Sequence, residues 1–122
     1  MNRERALKVV LAIVGLLFTA SVYPMVMFIR REAALSMMLC VYATLGVFLL
    51  LAVRNPSANR SLIAFAAWSS IAHAALMAVQ ASRHMISHGE WGGVALFAVI
   101  GVALLALAPA MQPAHRAAAV AL

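Results

Sequence analysis

Four side chains on one stretch, Ser69, His73, Met77 and Gln80, carry the chemistry that most needs explaining. They belong to the run Ser61–Ser82, read S-L-I-A-F-A-A-W-S-S-I-A-H-A-A-L-M-A-V-Q-A-S. At about 1.5 Å per residue this run reaches roughly 33 Å as a helix, enough to cross a bilayer. The four recur with helical spacing and share one stripe, which His84 joins if the helix continues that far. Lipid cannot satisfy an imidazole at mid-membrane depth. His73 therefore either bonds a neighbouring helix, the commoner role, or binds a ligand, handles a proton or contacts a metal or haem.

Other residues could join that chemistry. Ser36, Cys40 and Thr44 recur every four residues in the preceding apolar run and form a modest polar seam that could face His73. Ser and Thr in membrane helices usually bond back to their own carbonyls, so a structural role is the commoner one here too. Haem ligation at His73 would need a second axial ligand, for which that run offers Met37, Met38 and Cys40. His84, about 16 Å further along the same helix, is out of reach. His84 and His88 are four apart and would present both imidazoles to one metal ion on a continuing helix, with Glu90 and Glu32 able to complete the set. Two histidines without a third fixed ligand make a weak motif.

These residues need elements to position them, and composition says which. The chain is 66% hydrophobic and 10% charged. Soluble domains run nearer to about 45–50% and about 25%, so this is a membrane protein. Four apolar runs cover about 9–29, 33–53, 61–82 and 92–111. The chain 1–122 reads as a single transmembrane domain: an all-α integral membrane four-helix bundle, up-down-up-down, with short loops. The first run follows a basic start and resembles a signal peptide. Its apolar character resumes beyond Pro24, which fits a retained span that Pro24 bends near its far end. Arg30-Arg31-Glu32 is so short that the first two spans must be antiparallel neighbours.

The loop Arg54–Arg60 is rich in turn chemistry. Pro56 ends the helix before it, and Asn59 or Ser61 can cap the helix after it. In the third span Ala66, Ser70, Ala74, Ala78 and Ser82 form a face of small residues that lets another helix approach closely, and Gly101 offers the same in the fourth. Trp91 suits an interfacial anchor, and residues 112–122 read as a short interfacial tail with His115 and Arg116. Cys40 is the only cysteine, so no intramolecular disulfide forms.

The net charge of +6 does not point to nucleic acid, because the basic residues flank apolar runs. Arg3, Arg5, Lys8, Arg54, Arg60 and Arg116 fall on one side, against Arg30, Arg31 and Arg83 on the other. That bias expects both termini in the cytoplasm.

The runs Tyr42-Ala43-Thr44-Leu45-Gly46, Arg54-Asn55-Pro56-Ser57-Ala58-Asn59-Arg60-Ser61 and Trp68-Ser69-Ser70, with His73, Met77 and Gln80, resemble a family of small bacterial four-helix membrane proteins known as a domain of unknown function. The resemblance spans roughly residues 7–82. More loosely, the layout is similar to the DoxX-like group, some of whose members are named as quinol-oxidase or thiosulfate:quinone-oxidoreductase subunits. It implies the fold and carries over no catalytic residue.

Phosphate-cradling glycine loops, CxxC pairs and nucleophile elbows are absent from the sequence, which argues against an enzyme without excluding one. The expected function is a non-enzymatic protein that binds a lipid, quinone or other amphiphile, or an accessory subunit of a homo-oligomer or larger membrane complex. The ligand-lining candidates are His73, Gln80, Ser69, Met77, Cys40 and Thr44, and the weak metal pair is His84 and His88. The alternative is redox or proton handling with quinone or haem at His73. No cofactor follows from the sequence. A transporter or channel is the third class, but so few intramembrane charges give one chain no evident pathway.

Overall fold

The computed structural model of the chain describes residues 2–109. The first span is two helices, α1 (Arg3–Thr19) and α2 (Val22–Phe28), with a break at Ala20–Ser21. Then follow α3 (Ala33–Ala52), α4 (Arg60–Ser82) and α5 (Trp91–Leu107). Short 3-10 turns at Pro56–Asn59 and His88–Glu90 precede α4 and α5. The described residues are all-helical, and the four spans run up-down-up-down. Residues 110–111, expected in the fourth span, and the tail with His115 and Arg116 lie outside the described residues.

Helix α1 starts six residues before the apolar run because polar chemistry caps it. The Asn2 side chain accepts a hydrogen bond from the Arg5 amide at 2.8 Å, Glu4 sits in the first turn, and Lys8 pairs with Glu4 at 3.7 Å. The bend in this span lies four residues before Pro24. In an unbroken helix the amide of residue 24 would donate to the Ala20 carbonyl. Proline has no such amide, and the Tyr23 amide takes that carbonyl instead at 3.1 Å, tightening the turn. Two hydroxyls fix the broken segment to α3. Ser21 Oγ lies 2.6 Å from the Phe18 carbonyl and 3.1 Å from that of Leu39, and Ser36 Oγ donates to the Met25 carbonyl at 3.3 Å.

The loop before α4 is capped differently from the sequence expectation. Asn59 occupies the N-cap position without a capping bond, and its amide donates instead to the Asn55 carbonyl at 2.9 Å. Ser61 already lies within the helix. Asn55 does the capping, accepting from the Ala58 amide at 3.3 Å across a turn that Pro56 initiates.

Helix α1 packs along α3, and α4 along α5. The two hairpins meet chiefly through α1 and α5, while α3 and α4 barely touch. Glycine sets both close crossings. A Cβ added to Gly46 would stand 2.8 Å from the Gly15 carbonyl and would also strike the Thr19 amide. Gly101 lies against Ile71 and within 2.9 Å (measured from an added Cβ) of the Ala67 carbonyl. Without a hydrophobic drive between helices in lipid, such backbone approach supplies the packing that joins them. On the small face of α4, Ala66, Ser70 and Ala74 are buried, whereas Ser82 is exposed.

The fully buried large side chains, Leu7, Leu11, Leu49, Ile63 and Leu104, all lie in the half of the bundle nearest the chain's start, here called the terminal end. Two arginines close that end. Arg3 donates to the Ala108 carbonyl and Arg60 Nε to the Pro109 carbonyl, each at 2.8 Å, fastening the chain just past the end of α5. At the far end, by contrast, α2 contributes no buried residue at all.

The crossing argument gives a matched pair of variants. Gly46→Ala should destabilise the protein by roughly 1–3 kcal/mol, because backbone atoms cannot yield to the new methyl. Gly92→Ala meets nothing within 4 Å and should be neutral or slightly stabilising. Unfolding midpoints of both variants in mixed detergent check this, and equal midpoints would refute the crossing.

Candidate functional site

A cavity of about 420 Å³ opens at the far end, between the α1–α3 and α4–α5 hairpins. Its existence follows from the break at Ala20–Ser21, since α2 leans on α3 and leaves α5 beside it uncovered. Its floor is a cluster of four rings, one from each span: Phe18, Tyr42, His73 and Phe97. The closest pair is His73 and Phe97, with ring centroids 4.4 Å apart. Phe18 and Tyr42 meet edge-on at 5.0 Å, and Tyr42 lies 5.5 Å from both His73 and Phe97. Such offset and edge-on contacts suit the ring quadrupoles and add to plain packing.

The expected candidates divide among three places. His73 and Met77 line the cavity, joined by Met38 from α3. Ser69 and Gln80 share their stripe and are half-buried but do not line it, and Ser69 Oγ bonds back to the Ala66 carbonyl at 3.2 Å. Cys40 and Thr44 lie elsewhere. Both are exposed on the outer face of α3, and the Thr44 hydroxyl donates to the Cys40 carbonyl at 3.0 Å. They border an open groove beside α4 with Phe48 and Phe65. The reason is helical geometry: residues two apart point about 200° from one another, so when Tyr42 turns toward His73 its neighbours at 40 and 44 turn away. The seam therefore does not face His73. Of its three members only Ser36 is buried, and it serves the α2–α3 contact. Met37, like Cys40, points away from His73 and is 71% exposed.

The histidine pair beyond α4 also departs from the continuing-helix expectation. The helix stops at Ser82 in a Schellman turn: the Met85 amide donates to the Gln80 carbonyl at 2.8 Å and the His84 amide to that of Ala81 at 3.1 Å. His84 takes the left-handed position usually given to glycine, with φ of 57°. No glycine marks this stop in the sequence. The His84 and His88 rings still lie 5.8 Å apart, but among the described residues no group of three metal-ligating side chains forms.

Sequence reasoning missed the partners that matter most to His73. Phe18 and Phe97 do not enter the sequence reading, Tyr42 enters it only within the resemblance, and Glu90 only as a candidate to complete the metal set. The carboxylate of Glu90 instead stands at the cavity mouth, 3.9 Å from where a Cβ on Gly93 would sit, and Met77 Cε fills the space beside that glycine. One ring per span at comparable depth was the available signal.

Four helices long and apolar enough to cross a bilayer, meeting in a ring cluster below a mostly apolar cavity, mark a multi-span membrane protein. Within that class, the model of DUF6632, a family of unknown function, matches residues 3–120, and the chain belongs to that family. Neither the curated proteins nor the solved structures gave a match.

Ring packing at His73 predicts that His73→Phe stays within about 0.5 kcal/mol of the parent. His73→Ala should cost about 2 kcal/mol through lost contacts. Detergent unfolding of both variants tests this: an equal loss in the two would mean that a polar bond, not the ring, holds the site. Separately, His84→Gly should stabilise the fold by about 0.5–1 kcal/mol by relieving the left-handed residue, read as a higher melting temperature.

Proposed function

We propose that this protein is a non-enzymatic membrane protein that binds an amphiphile in the far-end cavity, alone or as an accessory subunit of an oligomer or larger membrane complex. The observation that carries the reading is the cavity itself: about 420 Å³, walled mainly by apolar and aromatic side chains, with a few polar groups placed at its floor and mouth. Cavities of this size and lining suit small apolar or amphiphilic ligands, and the polar groups would orient them. Met38 and Met77 add adaptable walls. The ligand would reach the site laterally from the bilayer, where α2 leaves the bundle uncovered.

The same reading places the chain in a bacterial inner membrane with both termini in the cytoplasm. Its support is the excess of basic residues at the terminal end, where Arg3 and Arg60 lie beside the close of α5.

The test is a lipid-extract mass spectrum and an absorption spectrum of gently solubilised protein. A bound amphiphile enriched over bulk lipid is expected. Gly93→Leu should drive its own side chain and Met77 into the cavity and reduce the bound species roughly tenfold or more, while His88→Ala leaves it unchanged. A colourless protein carrying only bulk lipid would end this reading. A haem absorption band would replace it with a redox role centred on His73.

A further inference from the structure

The polar groups of the cavity carry a sign. Its lining includes one carboxylate, Glu90, and one imidazole, His73, in the floor, and no lysine or arginine. Glu90 stands at the mouth and Phe97, seven residues along the same helix, in the floor, so the two are separated by about 10 Å. Below the carboxylate lie the rings of Phe18, Tyr42 and Phe97, whose faces are negative and attract cations. Carboxylate and rings therefore act in the same direction, Glu90 from an exposed position at the opening and the rings from below it. Among the described residues the one ion pair is Lys8–Glu4 at the opposite end, so no described cation is bonded to Glu90. Arg30, Arg31 and Arg83 do share the far end with Glu90, but all three are exposed and none lines the cavity.

We infer that the cavity selects amphiphiles with a positively charged head over neutral or anionic ones, the head pairing with Glu90 at the mouth and the apolar body resting on the ring floor. This rests on the amphiphile-binding reading and adds the charge of the ligand to it. An anionic head would have to pass the carboxylate, which repels it. A neutral one would gain only the apolar contacts.

Tetraphenylphosphonium and tetraphenylborate, near-identical in shape and opposite in charge, separate the two claims when diphenylhexatriene is added as a neutral probe. Binding of each is measured on the full chain in phosphatidylcholine nanodiscs, with empty discs subtracted. The phosphonium should bind roughly tenfold tighter than the borate. Glu90→Gln should lower phosphonium affinity by about the same factor and leave diphenylhexatriene binding intact. Glu32→Gln, an exposed carboxylate at the same end outside the cavity, should change neither. Equal binding of phosphonium and borate to the unaltered protein, or an equal loss in the Glu32 and Glu90 variants, overturns the charge selection while leaving an amphiphile cavity in place. Binding of none of the three probes overturns both.

Discussion

A single missing amide shapes the half of this bundle that contains the ring-floored cavity. In a bilayer a backbone carbonyl without a partner costs several kcal/mol, because no water is present to take its place. Pro24 removes the donor that the Ala20 carbonyl would have used, and the chain responds locally. Tyr23 supplies a tighter bond, the helix axis changes at Ala20–Ser21, and the hydroxyls of Ser21 and Ser36 fasten the displaced segment to α3. The cavity is what remains on the other side of that displacement. Its wall includes Ala20, Ser21 and Pro24 themselves, so the feature that opens the space also borders it.

The terminal half obeys the opposite logic. There Gly15 meets Gly46, large aliphatic side chains are wholly enclosed, and guanidinium groups bond the first two carbonyls after α5. Close packing and open space are thereby separated along the axis of the bundle. The packed half holds the helices in place, and the loosened half contains the cavity. The ring cluster is the boundary between them. It draws one side chain from each span, so a ligand resting on it touches all four at once.

Much of this was legible in the residues, and each failure has its own physical cause. Four apolar runs, a turn-rich loop and a glycine in the last span sufficed for the architecture, because bilayer thickness and backbone satisfaction leave few alternatives. The start of α1 was missed because apolar content located the span, while Asn2 and Glu4, which fix its first turn, are polar. On α4 the periodicity groups His73 with Met77, and both line the cavity, whereas Ser69 and Gln80 of the same stripe do not. Periodicity could not say which face of α3 would oppose His73, since rotation about a helix axis is decided by packing. With Gly46 committed to α1, Tyr42 faces His73, and Cys40 and Thr44 are turned to the outside. The stop at Ser82 was invisible for a different reason. Its left-handed residue is a histidine, held there by two backbone hydrogen bonds and not by any intrinsic preference.

The same axial division bears on the choice between holding a molecule and passing one. A route across the bilayer through one chain would have to continue beyond the ring cluster. Leu11, Leu49, Ile63 and Leu104 stand there with no exposed surface, and α1 and α3 are in backbone contact nearby. Opening that half would mean separating glycine crossings whose closeness is what joins the helices, at the loss of the contacts that stabilise the fold. The far half needs no such change, because its space already exists and its wall at α2 is not part of the core. The architecture of a single chain therefore supports the proposed amphiphile site, closed at the ring cluster, over a conduit.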